Sequence, residues 1–483
     1  MTQTETVSFT IDTEVTPAYY EKLLDYTYQN YLQPQTERIS NVKRNVQDGK
    51  PVLSFTFLDH KSKWDIDIEL KTGKPVQVSM KPSVDVPQIA LDRLKEDLII
   101  VLQYFEEQVR RSTLYFAWVQ GRAVVPEKSP FRRARIIERI LFGNILFLYV
   151  LLFAVSIFLV LALTAIFSNE MIGLELAGIF IVASQLLTVI FADRIVGTLS
   201  DWPISAKNPT VHILQYHLPD QERATFLQKY SREQLLTMKK EIYDQTIAIG
   251  KPVECATAHD VMTKYGLACS PENMSTKAIN VHELVQKTTE KFGLPVPKIN
   301  LSNTMIPNAA ATGISPKRGA VLITTGLLVQ LEDDEILSVL GHELSHLSAR
   351  DPFVLFGLVG GEYLLRIFVL WPYIQYFGLL YLIFILGLIY FIAKFFEARA
   401  DLESAMKIGN PKILAGALRK IGYRRLQFER SPSARVSDWI TWDPHPPIYF
   451  RVQRLEKLDL SKPINHTFIQ SAKDCIRGFF AAF

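Results

Sequence analysis

Two histidines four residues apart, with a glutamate directly after the first, occur in the stretch LSVLGHELSHLSARD at residues 337–351. On an α-helix His342 and His346 would lie on one side and could direct their imidazoles at one ion, with Glu343 beside them. Metal-assisted hydrolysis of a peptide bond uses this set of side chains. The alternative is that both histidines only pack on an amphipathic helix. The apolar spacing of the preceding LEDDEILSVLG would bury them, where an unpartnered polar ring is costly, so the pattern favours a metal.

A third ligand is needed, because a catalytic zinc is held by three protein side chains and keeps one position open for water. The stretch FFEARADLESA at residues 395–405 places Glu397 and Asp401 on one helical face. We expect Glu397 to be the third ligand and Asp401 to orient a histidine from behind. Taken alone, such a pair is more typical of a solvated helix end, so the assignment depends on the histidines.

Long apolar stretches predict that part of the chain lies in a lipid bilayer, which about 20 apolar residues in a helix can cross. Apolar residues make up 48% of the 483 residues. If Glu397 meets the two histidines at one ion, the intervening apolar block must cross the membrane twice, since one crossing would separate them. The WPY sequence at residues 371–373 would divide that block. The four predicted spans are 140–167, 171–192, about 352–371 and about 373–393.

Charged residues beside and within the spans predict their orientation. Four arginines precede the first span, whereas the two short connections between paired spans contain no Lys or Arg, which places the N-terminus in the cytoplasm. The metal site and the C-terminus then also face the cytoplasm, and we expect a multi-pass protein of the cell membrane. Glu362 and Arg366, four apart in the third span, predict a structural ion pair, with a role in substrate passage as the alternative. The four arginines are Arg132, Arg133, Arg135 and Arg139.

The regions outside the spans predict two further parts. Residues 1–128 alternate apolar and polar positions between turns such as DGK and KTGK, which indicates a separate cytoplasmic α+β domain. We expect it to stabilise the protein or bind partners, with substrate recruitment as the alternative. Residues 129–200 would hold the first transmembrane hairpin. Residues 201–280 are rich in charge and predict a helical juxtamembrane insert.

Composition limits the classes of partner and the cellular compartment that we expect for this chain. The net charge is +4, from 53 basic and 49 acidic residues mixed along the chain, so no basic surface for nucleic acid is expected. Cys255, Cys269 and Cys475 are widely spaced, which predicts no disulfide framework and a reducing compartment. The stretch MTQTETVSFTIDTEV has neither the basic nor the apolar part of a cleaved signal peptide.

Five motifs occur in order along the chain: VHELVQKTTEKFGLPVPKINL, PNAAATGISPKRGAVLITTGLL, LEDDEILSVLGHELSHLSARD, EARAD and HPPIYFR. Together they resemble the HtpX-type integral-membrane zinc metalloproteases of the M48 peptidase family. The resemblance covers about residues 280–455, and the paired spans extend it back to about residue 140. It implies a multi-pass α-helical membrane protein with four spans and a mainly helical, gluzincin-like protease domain at residues 281–483. The N-terminal domain and the long insert depart from the family's common pattern.

The resemblance also implies residue roles. One zinc ion per chain would be held by His342, His346 and Glu397, with Glu343 as the catalytic carboxylate. An edge strand would pair with the substrate backbone. Two residues of the HPP-x-x-x-R segment would steady the developing oxyanion, unless they only form loop and helix-start structure. The edge-strand residues are Asn308, Ala309, Ala310 and Ala311, and the two in the HPP segment are His445 and Arg451.

The expected function is a zinc metalloendopeptidase that cuts misfolded or membrane-associated polypeptides at the cytoplasmic face, in protein quality control. A site-specific processing protease of the prenyl-protein type is one alternative, although those relatives have more spans. A catalytically inactive membrane scaffold, in which the N-terminal domain binds partners, is the alternative from another class.

Overall fold

The computed structural model describes residues 6–59, 64–83, 86–126, 155, 158–159, 161–167, 170–218, 225–226 and 228–483. The strands are β1 (Val7–Ile11), β2 (Ile39–Gln47), β3 (Lys50–Asp59), β4 (Trp64–Lys71), β5 (Val76–Pro82), β6 (Thr113–Val119), β7 (Trp202–Ile204), β8 (Thr210–His217), β9 (Met274–Asn280), β10 (Lys298–Ser302), β11 (Ala309–Thr312) and β12 (Ala320–Thr324). The α-helices are α1 (Tyr20–Thr27), α2 (Gln88–Arg111), α3 (Glu170–Ile190), α4 (Ala192–Leu199), α5 (Arg232–Gln245), α6 (Cys255–Lys264), α7 (Val281–Phe292), α8 (Thr325–Gln330), α9 (Asp333–Ala349), α10 (Asp351–Leu365), α11 (Trp371–Ile408), α12 (Pro411–Phe428), α13 (Pro432–Ile440), α14 (Ile448–Glu456) and α15 (Thr467–Ala481).

The chain divides into two compact units. The first comprises Met1–Gln120 and His212–Ala278, and the second comprises Gly121–Val211 and Ile279–Phe483. In the first unit an antiparallel sheet has the order β1-β5-β4-β3-β2. Alternation explains β4, whose apolar Ile66, Ile68 and Leu70 are buried between polar positions. This apolar face packs in one core with residues of α1 and α2.

The prediction of a helical insert over residues 201–280 is wrong in its secondary structure. This segment contains α5 and α6, but also β7, β8 and β9, and the sheet order β6-β8-β9 joins two of these strands to β6. The sequence TVHILQYH of β8 is rich in β-branched and aromatic residues, which favour strands, and most of it is buried. Residues 212–278 therefore belong to the N-terminal unit.

The cysteine prediction is also wrong for one pair. Cys255 and Cys269 form a disulfide, because the chain after α6 turns back and brings their Cα atoms within 5.6 Å. Cys475 is a free, buried thiol in α15.

In the second unit a sheet of order β11-β12-β10-β7 lies beside the helices that carry the metal-site motif. β10 and β12 are parallel, whereas β11 pairs antiparallel with β12 and forms the edge. Helix α9 packs against α7, α11 and α12, and β11. Its N-terminus is closed by a capping box between Glu332 and Glu335, which fixes where the helix begins.

Three helices of the described residues are long and apolar enough to cross a membrane: Ile172–Ile190, Asp351–Leu370 and Tyr376–Ile408. Most of the predicted first span, and the four arginines before it, lie outside the described residues. The predicted ion pair is confirmed, with Arg366 Nε 3.2 Å from Glu362 Oε1. The helical path breaks at Phe377 (φ −130°, ψ 19°) rather than at WPY. The last span then continues without interruption to the end of α11.

Candidate metal centre

Helices α9 and α11 bring three donor groups to one point. His342 and His346 lie on successive turns of α9, and Glu397 lies on α11, where that helix continues beyond its most apolar part. The two Nε2 atoms are 3.3 Å apart. His342 Nε2 is 3.3 Å from Glu397 Oε2, and His346 Nε2 is 3.4 Å from Glu397 Oε1. The donor atoms of this group all lie within 4.8 Å of one another, as a shared ion requires.

The spacing of these donors fits a zinc ion. Four ligands arranged tetrahedrally at about 2.0–2.1 Å from zinc are about 3.3–3.4 Å from one another. Glu397 Oε2 is buried and makes no hydrogen bond among the described residues. Two imidazole nitrogens and a carboxylate oxygen are also the donor types that zinc prefers. The side chains present therefore fit a divalent metal.

Each histidine is held from behind by a carboxylate. Asp401 is the residue predicted to orient a histidine, and its Oδ1 lies 2.9 Å from His342 Nδ1. The sequence analysis missed the matching partner of His346, whose Nδ1 lies 2.7 Å from Asp351 Oδ2. Asp351 reaches back because Arg350 ends α9 in the left-handed region (φ 59°, ψ 38°) and reverses the chain. The sequence signal for this contact was an aspartate five residues after the second histidine.

The carboxylates control the charge of the centre. Burial alone lowers the pKa of His342, but its interactions with the carboxylates of Asp401 and Glu397 outweigh burial and raise this pKa to about 10. Burial raises the pKa of Glu343, although the neighbouring histidines oppose the shift. The amide of Ala311 donates to Glu343 Oε2 at 2.9 Å. The glutamate therefore lies between the donor group and the edge strand.

The predicted edge-strand residues lie next to the contact between the Ala311 amide and Glu343. Strand β11 contains Ala309, Ala310 and Ala311. Asn308 precedes the strand, and its backbone amide donates to Thr324 Oγ1 at 2.9 Å. β11 pairs with β12 on one side, so its other side is the outer edge of the sheet. Because the Ala311 amide points from this outer edge to Glu343, the edge runs directly beside the candidate centre.

The structure separates the two residues of the HPP-x-x-x-R segment. His445 Nε2 lies 3.4 Å from Glu397 Oε2, and the His445 side chain is 43% exposed, so it borders the open side of the centre. Arg451 is buried in α14 and donates from Nε and Nη2 to Asp401 at 2.8 and 2.7 Å. It therefore lies on the far side of His342, away from the nitrogens that face the centre.

A polar network that the sequence analysis missed holds the His445 loop. Asp443 Oδ1 accepts the His445 amide at 2.8 Å and lies 2.9 Å from His445 Nδ1. Arg425 Nη1 donates to Asp443, and its Nε donates to Asp438 at 2.8 Å. Both carboxylate oxygens of Glu429 accept backbone amides at the start of α14. Burial, followed by a hydrogen bond with Asp438, raises the pKa of Glu429 to about 8.

Apolar helices of membrane-spanning length and a His-His-Glu donor group beside a sheet edge define a membrane metallopeptidase. The profile of Peptidase family M48 matches residues 275–459. A protease HtpX homolog of Pyrococcus abyssi is 32% identical over 222 residues, which cover 39% of this chain and 76% of that protein. One from Thermodesulfovibrio yellowstonii is 29% identical over 237 residues, covering 41% and 80%. The chain belongs to peptidase family M48, as the motifs predicted.

A more distant likeness exists among solved structures. The crystal structure of S. mikatae Ste24p aligns with 77% of this chain and 76% of its own, at 15% identity and a TM-score of 0.32. This score is too low to establish a common fold.

Proposed function

We propose that this chain is a zinc-dependent endopeptidase that hydrolyses misfolded or membrane-associated polypeptides at the cytoplasmic face of the membrane, as part of protein quality control. The observation that carries the proposal is the convergence of His342, His346 and Glu397 at separations of 3.3–3.4 Å, with Glu343 beside them. Membership of a peptidase family supports the reaction class. The candidate spans support substrates at a membrane.

Glu343 is the proposed general base. A zinc ion on the three donors would lower the pKa of water there and polarise the scissile carbonyl. Glu343 Oε2 accepts the Ala311 amide, so we assign proton transfer to Oε1, which takes the proton of the attacking water and returns it to the leaving amine. Burial raises the pKa of this carboxyl and makes it a stronger base than an exposed glutamate.

The edge strand β11 is the proposed substrate platform. An extended polypeptide would add to its outer edge through backbone hydrogen bonds, which do not depend on the substrate's side chains. The side chains of β11 begin with three consecutive alanines, which leave the backbone accessible. Such binding favours extended segments of unfolded chains over folded domains.

Three residues of the C-terminal half support the reacting groups in different ways. We assign His445 to the developing oxyanion, because its Nε2 faces the centre. Asp443 is its positioning residue, because it holds the opposite ring nitrogen. Arg451 differs from the role implied by its motif, since its bidentate contact with Asp401 makes it a positioning residue for His342.

The first test is the Glu343→Gln variant in detergent or lipid, with an unfolded casein-like chain as substrate. We expect zinc to remain at one ion per chain and hydrolysis to fall at least about a hundredfold, because the amide cannot accept the proton. Hydrolysis at the wild-type rate would contradict the mechanism. Cleavage of prenylated peptides alone would favour the processing alternative, and a folded wild-type protein without zinc would favour the inactive scaffold.

A further inference from the structure

Helix α15 packs along α11 and runs antiparallel to it. Near the start of α15, the Phe468 ring lies 5.2 Å from that of Phe396. Near its end, the Phe479 ring lies 5.4 Å from that of Phe391, one turn closer to the middle of the candidate span. As α15 proceeds, it therefore approaches the membrane-spanning part of α11.

The face of α15 next to its contact with α11 is apolar and exposed. Ile469, Ile476 and Phe480 recur at intervals of seven and four residues, which places them along one helical face, and Phe483 follows just beyond the end of the helix. Phe480 is 70% exposed and Phe483 is 75% exposed. Aromatic side chains of this size are costly to leave in water, and a contiguous exposed stripe indicates a contact surface.

The charges of the same helix have one sign on the exposed side. Lys473 and Arg477 are both exposed. The acidic residue of the helix, Asp474, accepts a hydrogen bond from Arg454 Nε at 2.8 Å and so faces the protein. An apolar helical face flanked by basic residues is typical of helices that lie at an anionic lipid interface.

The loop before α14 adds apolar side chains at the same level of α11. Lys394 of α11 donates to the carbonyls of Thr441, at 3.4 Å, and of Asp443. Cys475 of α15 lies 3.6 Å from the Lys394 carbonyl, so the loop and α15 meet α11 within the same turn. Trp442 is 38% exposed in this loop, and tryptophan is enriched at membrane interfaces.

We propose that α15 is an interfacial membrane helix. Its Phe480 and Phe483 enter the edge of the bilayer beside α11, and Lys473 and Arg477 contact anionic lipid headgroups. Because α15 and the His445 loop are fixed to the same turn of α11, this contact seats the loop at the membrane surface. The occupant is lipid, since the stripe lies on a helix that packs against Phe391 and Phe396 within a candidate span.

The test measures the depth of a nitroxide attached to the full-length protein at Phe480→Cys. Cys475 is buried and the other two cysteines are bonded to each other, so the new thiol should be labelled selectively, with unsubstituted protein as the background. Two labelled controls bracket the scale: Phe384→Cys, on α11 in the candidate span, and Lys462→Cys, whose side chain is 80% exposed in a loop. Collision rates with oxygen and with a water-soluble nickel chelate are measured in lipid nanodiscs that hold one protein each.

We expect the label at 480 to collide with oxygen more often, and with the nickel chelate several-fold less often, than the label at 462, as the label at 384 does. Reversal of both charges, Lys473→Glu with Arg477→Glu, should increase nickel access at 480 in phosphatidylglycerol and change it little in phosphatidylcholine. Free access of the chelate to the label at 480 would overturn the proposal. Protection in crowded vesicles that disappears in single-copy nanodiscs would identify a second copy as the occupant, which also overturns it.

Discussion

Two clusters in this molecule bring several carboxylates together with arginine, and they balance the negative charge differently. In the N-terminal unit, Arg110 Nη2 lies 2.9 Å from Glu14 and 3.3 Å from Glu106. Burial, reinforced by the charge of Glu14, raises the pKa of Glu106 to about 7. A proton on Glu106 therefore relieves the excess charge.

The candidate metal centre also brings carboxylates and an arginine together, but it adds two histidines on α9. Glu343, Glu397 and Asp401 surround it, and Arg451 supplies one fixed positive charge. Two imidazole nitrogens point at the carboxylate from separate turns of α9, a geometry absent from the Glu14–Glu106–Arg110 cluster. Buried acidic residues alone therefore do not indicate a metal. The convergence of donors of the right types at the right spacing does.

The largest effect should come from Glu397→Gln, which removes a charged ligand but keeps the shape of the side chain. We expect the bound zinc to fall well below one per chain, because the amide is a weaker ligand, and hydrolysis to be lost with it. Elemental analysis and cleavage of an unfolded chain would measure both. The matched control is Glu106→Gln, which removes a buried carboxylate from the other cluster and should keep zinc and activity. If Glu397→Gln retained zinc, or if the control lost it, the proposed difference between the two clusters would be contradicted.

A smaller effect should come from Asp443→Asn, which changes the support of His445 without touching the donors. We expect kcat to fall about tenfold with little change in KM, because the ring loses its charged hydrogen-bond partner. In a His445→Gln background the same substitution should cost little more, since a positioning residue acts only through its partner.

The control for this pair is Asp443→Glu, which keeps the charge and should recover part of the lost kcat. Additive losses in the double variant would show that Asp443 acts independently of His445. In that case the network would serve the fold rather than the reaction.

The sequence could predict the site residues that are neighbours along the chain, but not those that folding brings together from distant positions. His342, Glu343 and His346 are neighbours on one helix, so their spacing alone defines their geometry. Asp351 comes into place only because Arg350 adopts a left-handed conformation. Asp443 acts through a loop whose position depends on long-range contacts with α11, and no local pattern in the sequence encodes such contacts.

The same distinction applies to the fold. The apolar stretches of α3, α10 and α11 indicate membrane spans by composition, which is a local property. The pairing of β8 with β6 joins residues about a hundred positions apart, and the charged helices around β8 concealed it. The charged residues of a segment indicate which of its faces are in contact with solvent. Strand pairing, in contrast, depends on the position of distant parts of the chain.

The smallest predicted effect belongs to Glu106→Gln and concerns stability. A carboxyl whose folded pKa is raised from 4.5 to about 7 stabilises the fold fully below pH 4.5, and this contribution is lost as the pH rises through about 7. Glutamine stays neutral, so the variant should match wild type near pH 4 and unfold a few degrees higher near pH 8. Thermal unfolding across this range measures the difference, with the exposed Glu21→Gln as control. A variant that follows the wild-type pH dependence would show that Glu106 is ionised in the fold, and the Glu14–Glu106–Arg110 cluster would then need another source of positive charge.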